Sequence, residues 1–532
     1  MLQMLVALLT DSINYQKHAL ALAVGITVSH AHLLTKIVCT LVLVVAIYRC
    51  ATKSTTRASK LLDKLPSPPG RLPVIGHTHL VGSLPHISLR DLATKHGSNL
   101  MLLHLGAVPT LIVSSSRAAQ AILRTHDHVF ASRPYSVVSD ILFYGPSDIA
   151  FSPYGEYWRQ VKKIATMHLL SVKKVRSYRL ACQQEVQLVM AKIADAATAH
   201  TAVDLSELLN YFSNDMICHA VCGNMFRQEG HNHLFRKLAE ANSVLISGFN
   251  LESYFPRMAR VAAIGRLLYA KARHINHRWN QLLDKLIDDH ASSNTSYNSD
   301  EESDFIDVLL SLQHEYNFTR DNIKAILVDM FEAGTDTSSV VMEYAMVELM
   351  QKPHLMAKLQ TEVRSMVPKG EEMVSEEQVG RMSFLEAVVK ETLRLHPAVP
   401  LLVPHLSMAD CDIEGYTIPS GTRVIVNAWA LARDPNYWEN ADEFVPERFI
   451  GDVITTDYKG NDLNLLPFGA GRRICPGINF AITNIHMMLA NLVYRFDWEL
   501  PVDKADVGID NKETFGITLH RKEKLLLLPR CY

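Results

Sequence analysis

The side chains best suited to chemistry lie in one short loop, Pro467-Phe-Gly-Ala-Gly-Arg-Arg-Ile-Cys-Pro-Gly477. Its single cysteine, Cys475, follows two arginines and precedes a proline, which suits the first turn of a helix. We therefore predict a helix over Ile478 to Tyr494 with Cys475 at its N-terminus. The helix dipole and the arginines would hold the sulfur as a thiolate, which is a strong ligand for iron. The alternative is an ordinary buried cysteine in a glycine-rich turn.

A second unusual stretch is the run Phe331-Glu-Ala-Gly-Thr-Asp-Thr-Ser338, within a predicted long helix from Asp321 to Gln351. Glycine, threonine and aspartate are unfavourable in the middle of a helix. Such a conflict between sequence and local structure is typical of a functional site. Asp336 and Thr337 offer an acid and a hydroxyl that can hold and move protons. The alternative is a helix that begins here, with Asp336 as its cap.

The cysteine loop also matches a family pattern. It resembles the haem-binding loop of cytochromes P450, Phe-x-x-Gly-x-Arg-x-Cys-x-Gly, at Phe468, Gly471, Arg473, Cys475 and Gly477. The resemblance implies that Cys475 is the axial ligand of the iron of haem b, whose thiolate donates electron density to the metal. It also implies that Phe468 packs beside the sulfur and that Arg473 binds a haem propionate.

The helical run is similar to the oxygen-activation groove of the same family, Ala-Gly-x-Asp-Thr, with matches at Ala333, Gly334, Asp336 and Thr337. The resemblance makes Asp336 and Thr337 the predicted catalytic residues, which relay protons to the reaction centre. It also predicts a pocket lined by four segments: Arg133–Phe151, Val328–Ala333, Val399–Val403 and Phe515–Thr518.

Further positions match cofactor-binding residues of the family. Trp158 and Lys162 are four apart, so they share a helix face, and by resemblance they hold a propionate. The family usually has arginine at the second position, so the contact here would be a point charge rather than a fork. His405 stands where a further propionate-binding residue is often found.

Three charged residues are expected to support the loop rather than to take part in the chemistry. Glu391 and Arg394, within the predicted helix Phe384 to Leu395, resemble the buried Glu-x-x-Arg pair of the family. Their third partner would be Arg448, in Pro446-Glu-Arg-Phe449. The three would form a structural lock for the haem loop.

The fold implied by the resemblance is mainly α-helical with small β-sheets, preceded by an N-terminal membrane anchor helix. We predict a hydrophobic anchor over residues 1–50, a basic flank and proline-rich hinge over 51–76, and the haem-binding catalytic domain over 77–532. Five cations and one acid follow the apolar run, so the catalytic domain is expected on the cytosolic side of the endoplasmic reticulum membrane, with a single pass. The sequons at Asn294 and Asn317 would then stay unmodified.

Composition excludes several other classes. The 532 residues are 48% hydrophobic and carry a formal net charge of −2, which leaves no footprint for nucleic acid. The 8 cysteines are scattered, so neither a disulfide framework nor a metal knuckle is indicated. Cys218, His219 and Cys222 suggest a metal site, but they lie in an apolar helical stretch where core packing is the favoured interpretation.

The resemblance extends from about Leu65 to Arg530 and is greatest to plant microsomal enzymes of the 71 clan. The segment Val81 to Leu92 resembles grass enzymes related to the indole and indolinone hydroxylases of benzoxazinoid synthesis. The implied activity is hydroxylation of a small apolar, indole-like metabolite with O₂, using electrons from NADPH through a separate cytochrome P450 reductase. The alternatives are a terpenoid or fatty-acid hydroxylase, an O₂-independent haem-thiolate isomerase or dehydratase, and a non-enzymatic haem-binding membrane protein.

Overall fold

The computed structural model describes residues 35–36, 38–43, 56–97, 99–145, 147–223, 231–247, 251–259, 265, 269–292, 303–368, 370–451, 457–502 and 508–532. The described part is mainly helical, as predicted. Its helices are Arg57–Leu62, Pro85–His96, Ser116–Gln120, Val137–Leu142, Glu156–His168, Val172–Ser177, Arg179–Thr198, Leu205–Cys222, His231–Leu245, Leu251–Tyr254, Pro256–Ala259, Ala270–Ser292, Phe305–Leu312, Arg320–Gln351, Pro353–Met366, Glu376–Val379, Ser383–Leu395, Ala428–Leu431 and Ile478–Arg495.

The strands form small sheets beside the helices. They are β1 (Leu100–Leu105), β2 (Val108–Val113), β3 (Val203–Asp204), β4 (His405–Leu406), β5 (Cys411–Ile413), β6 (Tyr416–Ile418), β7 (Arg423–Val426), β8 (Phe496–Glu499), β9 (Glu513–Thr514), β10 (His520–Arg521) and β11 (Leu526–Cys531). The largest sheet has the order β1-β2-β7-β4, in which only the β2–β7 pair is parallel. The other described sheets are β3-β11-β8, β5-β6 and β9-β10.

The central helix, Arg320–Gln351, runs through the main core. It begins with a capping box, in which Thr319 and Asn322 each accept a hydrogen bond from the other's backbone N–H. It packs against the helix Leu205–Cys222 so closely that a Cβ on Gly334 would lie 2.6 Å from Cγ1 of Ile217. A glycine at this position is therefore required by helix packing.

Cys218 and Cys222 lie in that neighbouring helix and are fully buried in the same core. The thiol of Cys222 donates a hydrogen bond to the Cys218 carbonyl at 3.1 Å. Core packing, the favoured interpretation of this pair, is therefore confirmed.

The predicted hinge is not a free extended spacer. It contains the helix Arg57–Leu62, and Leu62 and Leu65 are buried against β1 and its neighbours. The backbone N–H of Leu102 donates to the Pro66 carbonyl at 2.7 Å, and Gly76 forms a bridge with Leu105. Backbone hydrogen bonds and apolar burial thus attach this segment to the folded body, which sequence composition could not reveal.

The segment Arg133–Phe151, which is predicted to line the pocket, contains the short helix Val137–Leu142. Ser136 caps this helix by accepting a hydrogen bond from the backbone N–H of Ser139. The predicted anchor lies largely outside the described residues, as does Asn294. Within the described parts of the chain, the helices are too short or too polar to span a membrane.

Candidate active site

The cysteine loop makes a tight turn before the helix Ile478–Arg495, close to the helix predicted from sequence. Gly471 has φ of 68°, and a Cβ there would collide with the Leu123 carbonyl oxygen, so only glycine fits. Gly477 has φ of −85°, which residues other than glycine also adopt. Its backbone N–H donates a hydrogen bond to Sγ of Cys475 at 3.3 Å.

The charges around the sulfur differ from those expected. Burial raises the pKa of the Cys475 thiol, while the Gly477 N–H and the Lys162 ammonium lower it. Arg472 is half-exposed and pairs with Asp127 at 3.1 Å. Lys162, rather than the two arginines, is the cation that lowers the pKa of this thiol, and its ammonium donates to the Arg472 and Ile474 carbonyls beside Cys475.

A cavity of about 270 Å³ lies between the cysteine loop and the central helix. Phe468, Gly477 and Cys475 line it from the loop, and Ala333, Gly334 and Thr337 line it from the helix. All four segments predicted from sequence contribute, through residues that include Phe151, Met330, Val399 and Thr518. Most of the lining side chains are apolar, which suits a flat hydrophobic group with a soft metal.

Cations cluster along one side of this cavity, around the ring of Trp158. Arg473 Cζ lies 4.2 Å and Lys162 Nζ 5.2 Å from the ring centroid, so the predicted shared face is present. Arg473 donates to the carbonyls of Ala131, Ile149 and Ser152 at 2.6, 3.1 and 2.5 Å. Lys162 donates to the carbonyls of Arg472 and Ile474, and the Trp158 indole N–H to that of Ile149.

Arg133, which sequence reasoning did not select, belongs to the same cluster. It is buried, lines the cavity and donates to the carbonyls of Ala150, Val403 and Pro404. The available signal is the run Phe130-Ala-Ser-Arg-Pro134, in which an arginine stands among small and apolar residues. The sequence does not show that this arginine is buried beside Arg473.

These cations fit a ligand that carries carboxylates. Within the described residues, Arg133, Lys162 and Arg473 form no ion pair with an acidic side chain. Burial lowers the pKa of Lys162 to about 8 and that of Arg473 to about 10. Since buried cations are normally paired, the cluster matches the two propionates of a haem whose iron meets Cys475. His405 also lines the cavity, but burial and Arg133 lower its pKa to about 3, so it is a neutral partner.

Asp336 and Thr337 occupy adjacent positions on the central helix but have different surroundings. Thr337 lines the cavity, and its hydroxyl donates to the Ala333 carbonyl at 2.8 Å. Asp336 is only 4% exposed, so it does not itself reach solvent. Its Oδ1 accepts from Asn210 at 3.1 Å, and its Oδ2 lies 3.5 Å from Nε2 of the partly exposed His520. His520 thus connects the buried acid to the surface, a contact that sequence reasoning missed.

The structure brings the three predicted lock residues together. Both oxygens of the fully buried Glu391 accept from Arg394, at 2.7 and 2.8 Å, and Oε1 also accepts from Arg448 at 3.1 Å. Arg394 donates further to the carbonyls of Ala432, Ala441 and Glu443. The trio therefore fastens the helix Ser383–Leu395 to the segment that leads into the cysteine loop.

A group of buried acids on the central-helix wall was not predicted. Asp329 accepts from the backbone N–H groups of Ile149 and Ala150, at 2.9 and 3.1 Å. Burial, together with the neighbouring Asp329, raises the pKa of Asp148. Burial also raises the pKa of Glu332, and the charges of Asp329 and Asp336 add to this shift.

Comparison with known proteins agrees with this geometry. The family model "Cytochrome P450" matches residues 66–528. The chain is 55% identical to the indole-2-monooxygenase of Zea mays over 89% of its own length and 88% of that protein, and 53% identical to the indolin-2-one monooxygenase of Zea mays over 95% and 96%. It also resembles the structure of a zebrafish cytochrome P450 with abiraterone, with 25% identity and a TM-score of 0.70, over 85% of this chain and 100% of that one.

These matches establish the family and, with it, the class of cofactor and reaction. The predicted relation to the 71 clan and its grass subfamily is confirmed, since Zea mays cytochrome P450 71C3 is 48% identical over 88% of this chain and 89% of that protein. Members of the family bind haem b through a cysteine thiolate and are oxidoreductases. The chain therefore belongs to the cytochrome P450 family, as a plant haem-thiolate monooxygenase of the 71 clan.

Proposed function

We propose that this monooxygenase hydroxylates a small, planar, indole-like metabolite. The observation that carries the proposal is one apolar cavity that Cys475 and Thr337 both line, from the loop and from the central helix. Three Zea mays relatives, named as monooxygenases of indole, indolin-2-one and 3-hydroxyindolin-2-one, support this substrate class.

In this proposal, the Cys475 thiolate would hold the haem iron, and Phe468, Gly471 and Gly477 would shape the loop that presents it. The haem supplies O₂ activation, and the cysteine thiolate favours cleavage of the O–O bond. The Gly477 N–H, 3.3 Å from Sγ, tempers the charge on the sulfur. Arg473, Trp158, Lys162 and His405 would orient the propionates, with Arg133 as an additional partner.

Protons would reach the cavity through the central helix. His520 is partly exposed and can take a proton from solvent, and Asp336 Oδ2 lies 3.5 Å from its Nε2. Asp336 would then pass the proton toward the hydroxyl of Thr337, through water, since adjacent residues cannot share a helix face. The Thr337 hydroxyl donates a hydrogen bond to the Ala333 carbonyl. The lone pairs of Oγ1 therefore point away from that carbonyl.

Electrons would come from NADPH through a separate cytochrome P450 reductase, docked on cytosolic basic residues. The chain would be held at the endoplasmic reticulum membrane by a single-pass anchor over residues 1–50, with the flank and hinge over 51–76 leading to the catalytic domain over 77–532. The apolar N-terminal run and the basic flank that follows it support this arrangement.

The test is turnover by the full chain in microsomes that contain reductase, with NADPH, O₂ and indole or indolin-2-one. We expect consumption of NADPH and O₂ with formation of a product heavier by one oxygen atom. A terpene and a fatty acid serve as alternative substrates, and preferential turnover of either would replace the proposed substrate class. Product formation without O₂ would indicate an isomerase or dehydratase, whereas haem binding without any turnover would indicate a binding protein.

A further inference from the structure

Ser243 brings an unpaired hydroxyl to the wall of a mainly apolar cavity. It belongs to the helix His231–Leu245 and lines the cavity together with Ile246. The residue is only 5% exposed, and its hydroxyl forms no hydrogen bond with any described residue. The unpaired atoms Asn242 Oδ1 and Glu332 Oε1 are sealed off nearby, whereas Ser243 Oγ is open to the cavity.

The free hydroxyl is unusual, because a serine or threonine inside a helix commonly donates to the carbonyl four residues earlier. Thr335 and Thr337 both do so in the central helix, at 2.6 and 2.8 Å. Ser243 makes no such bond within the described structure, although it lies inside its helix. Its hydroxyl therefore keeps one donor and two acceptor lone pairs for a molecule in the cavity.

Ser243 lies level with the part of the central helix that leads to Thr337. The side-chain amide of the preceding Asn242 donates to Glu332 at 3.3 Å, one residue before Ala333. The Ala333 carbonyl in turn accepts from Thr337, which also lines the cavity. A ring held at Ser243 would therefore lie beside the helix segment assigned to proton delivery.

Two further hydroxyls on the cavity wall have no partner among the described residues, those of Ser338 and Thr518. Ser338 lies one turn after Gly334, on the flank of the central helix that packs against the helix Leu205–Cys222. Thr518 lies in the turn between β9 and β10, beside Ala398, whose carbonyl accepts from the next backbone N–H at 2.9 Å. A turn offers a threonine no regular partner, so a free hydroxyl is less unusual there than at Ser243.

We propose that Ser243 is a specificity-determining residue whose hydroxyl accepts a hydrogen bond from the ring N–H of the substrate. This assignment rests on the proposed function, since indole-like rings carry such an N–H. A bound ring excludes water from the cavity, so the hydroxyl stays unpaired unless the ring supplies a hydrogen-bonding group. The chain should therefore discriminate against rings of the same shape that lack the N–H.

The test measures, by calorimetry, the binding of three bicyclic probes of one shape to the haem-loaded full chain. Indole carries the N–H, indene replaces it by CH₂, and benzofuran replaces it by an oxygen atom. Each affinity ratio is compared between wild type and variant, so that the different hydration of the free probes cancels. We expect Ser243→Ala to lower both the indole-to-indene and the indole-to-benzofuran ratio about fivefold. Ser243→Thr, which retains a hydroxyl, should lower them by less than about twofold.

Ser213→Ala is the matched control, because Ser213 is another buried helical serine with an unpaired hydroxyl, but that hydroxyl is sealed off. It should leave both ratios unchanged. A fall in the indene ratio alone would contradict the proposal, since it would show that the Ser243 hydroxyl donates rather than accepts.

Unchanged ratios in Ser243→Ala, in a chain whose wild type binds indole, overturn the role of Ser243 and leave the substrate class standing. Loss of discrimination in Thr518→Val but not in Ser243→Ala likewise overturns it, because the N–H would then be bound at the other wall. Failure of the wild type to bind any of the three probes overturns the indole-like substrate class and the role of Ser243 together.

Discussion

Two groups of buried acids in this molecule have their charge compensated in opposite ways. On the side of the cysteine loop, Glu391 is fully buried, but each of its oxygens accepts from an arginine. On the central-helix side, burial raises the pKa values of Asp148, Asp329 and Glu332, Asp329 raises that of Asp148 further, and both aspartates raise that of Glu332. The difference indicates that the first group stabilises the fold as a paired ionic network, whereas burial and neighbouring negative charge favour the protonated form in the second.

The largest effect is expected when the buried ion pair of Glu391 and Arg394 is broken. Arg394→Ala leaves Glu391 buried without its main cation and leaves three carbonyls without a donor. Removal of one partner of a buried ion pair costs about 3–5 kcal/mol, so we expect a loss of this size in the free energy of unfolding, together with poor haem retention. Urea unfolding followed by circular dichroism, with haem content measured in parallel, tests this.

Arg381→Ala is the matched control, since Arg381 pairs with Glu377 on the surface at 2.6 Å. Both side chains are largely exposed, so the pair should contribute less than about 0.5 kcal/mol. Equal losses in the Arg394 and Arg381 variants would refute the distinction between a buried structural lock and an ordinary ion pair.

The second effect concerns Thr337, where the central-helix side would deliver protons. Thr337→Ala should keep haem and NADPH oxidation but lower the ratio of product to NADPH consumed by about 10²-fold, since general acid–base groups contribute at least this much. Peroxide should rise in proportion, because electrons then leave without forming product. Thr335→Ala should change the ratio far less, because the Thr335 hydroxyl points away to the Phe331 carbonyl and Asn214. Full coupling in Thr337→Ala would show that another group carries the proton.

The sequence predicts the cysteine loop and the buried ion pair well, but it does not predict the burial of Glu332, for a physical reason. Cys475, Glu391 and Arg394 stand in short contiguous patterns, so local spacing determines most of their geometry. The burial of Glu332 depends instead on which residues the segment Arg133–Phe151 and the helix His231–Leu245 bring against the central helix. That arrangement is set by contacts between distant parts of the chain, and no local pattern encodes it.

The smallest effect on stability should come from Glu332→Gln, which replaces a buried carboxyl group on the central helix by a neutral amide. The pKa of Glu332 is raised in the folded state by burial and by Asp329, Asp336 and Asp148, so the folded state binds more protons than the unfolded one. Wild-type stability should therefore fall as pH rises above the unfolded pKa of about 4.3, by at most about 1.4 kcal/mol per pH unit. Glu332→Gln removes this term, so its stability relative to wild type should increase between pH 5 and pH 7. A pH-independent difference in the free energy of unfolding would contradict the account of this wall.

The central claim is that Cys475 ligates the haem iron, and the absorption spectrum of the reduced carbon monoxide complex tests it most directly. Cys475→Ala should abolish the thiolate-type band of that complex, because no other cysteine among the described residues lines the cavity. Cys218→Ala, which alters a thiol buried in the core, should leave the band at its wild-type position. Retention of the thiolate-type band in Cys475→Ala would contradict the assignment of this loop as the haem site.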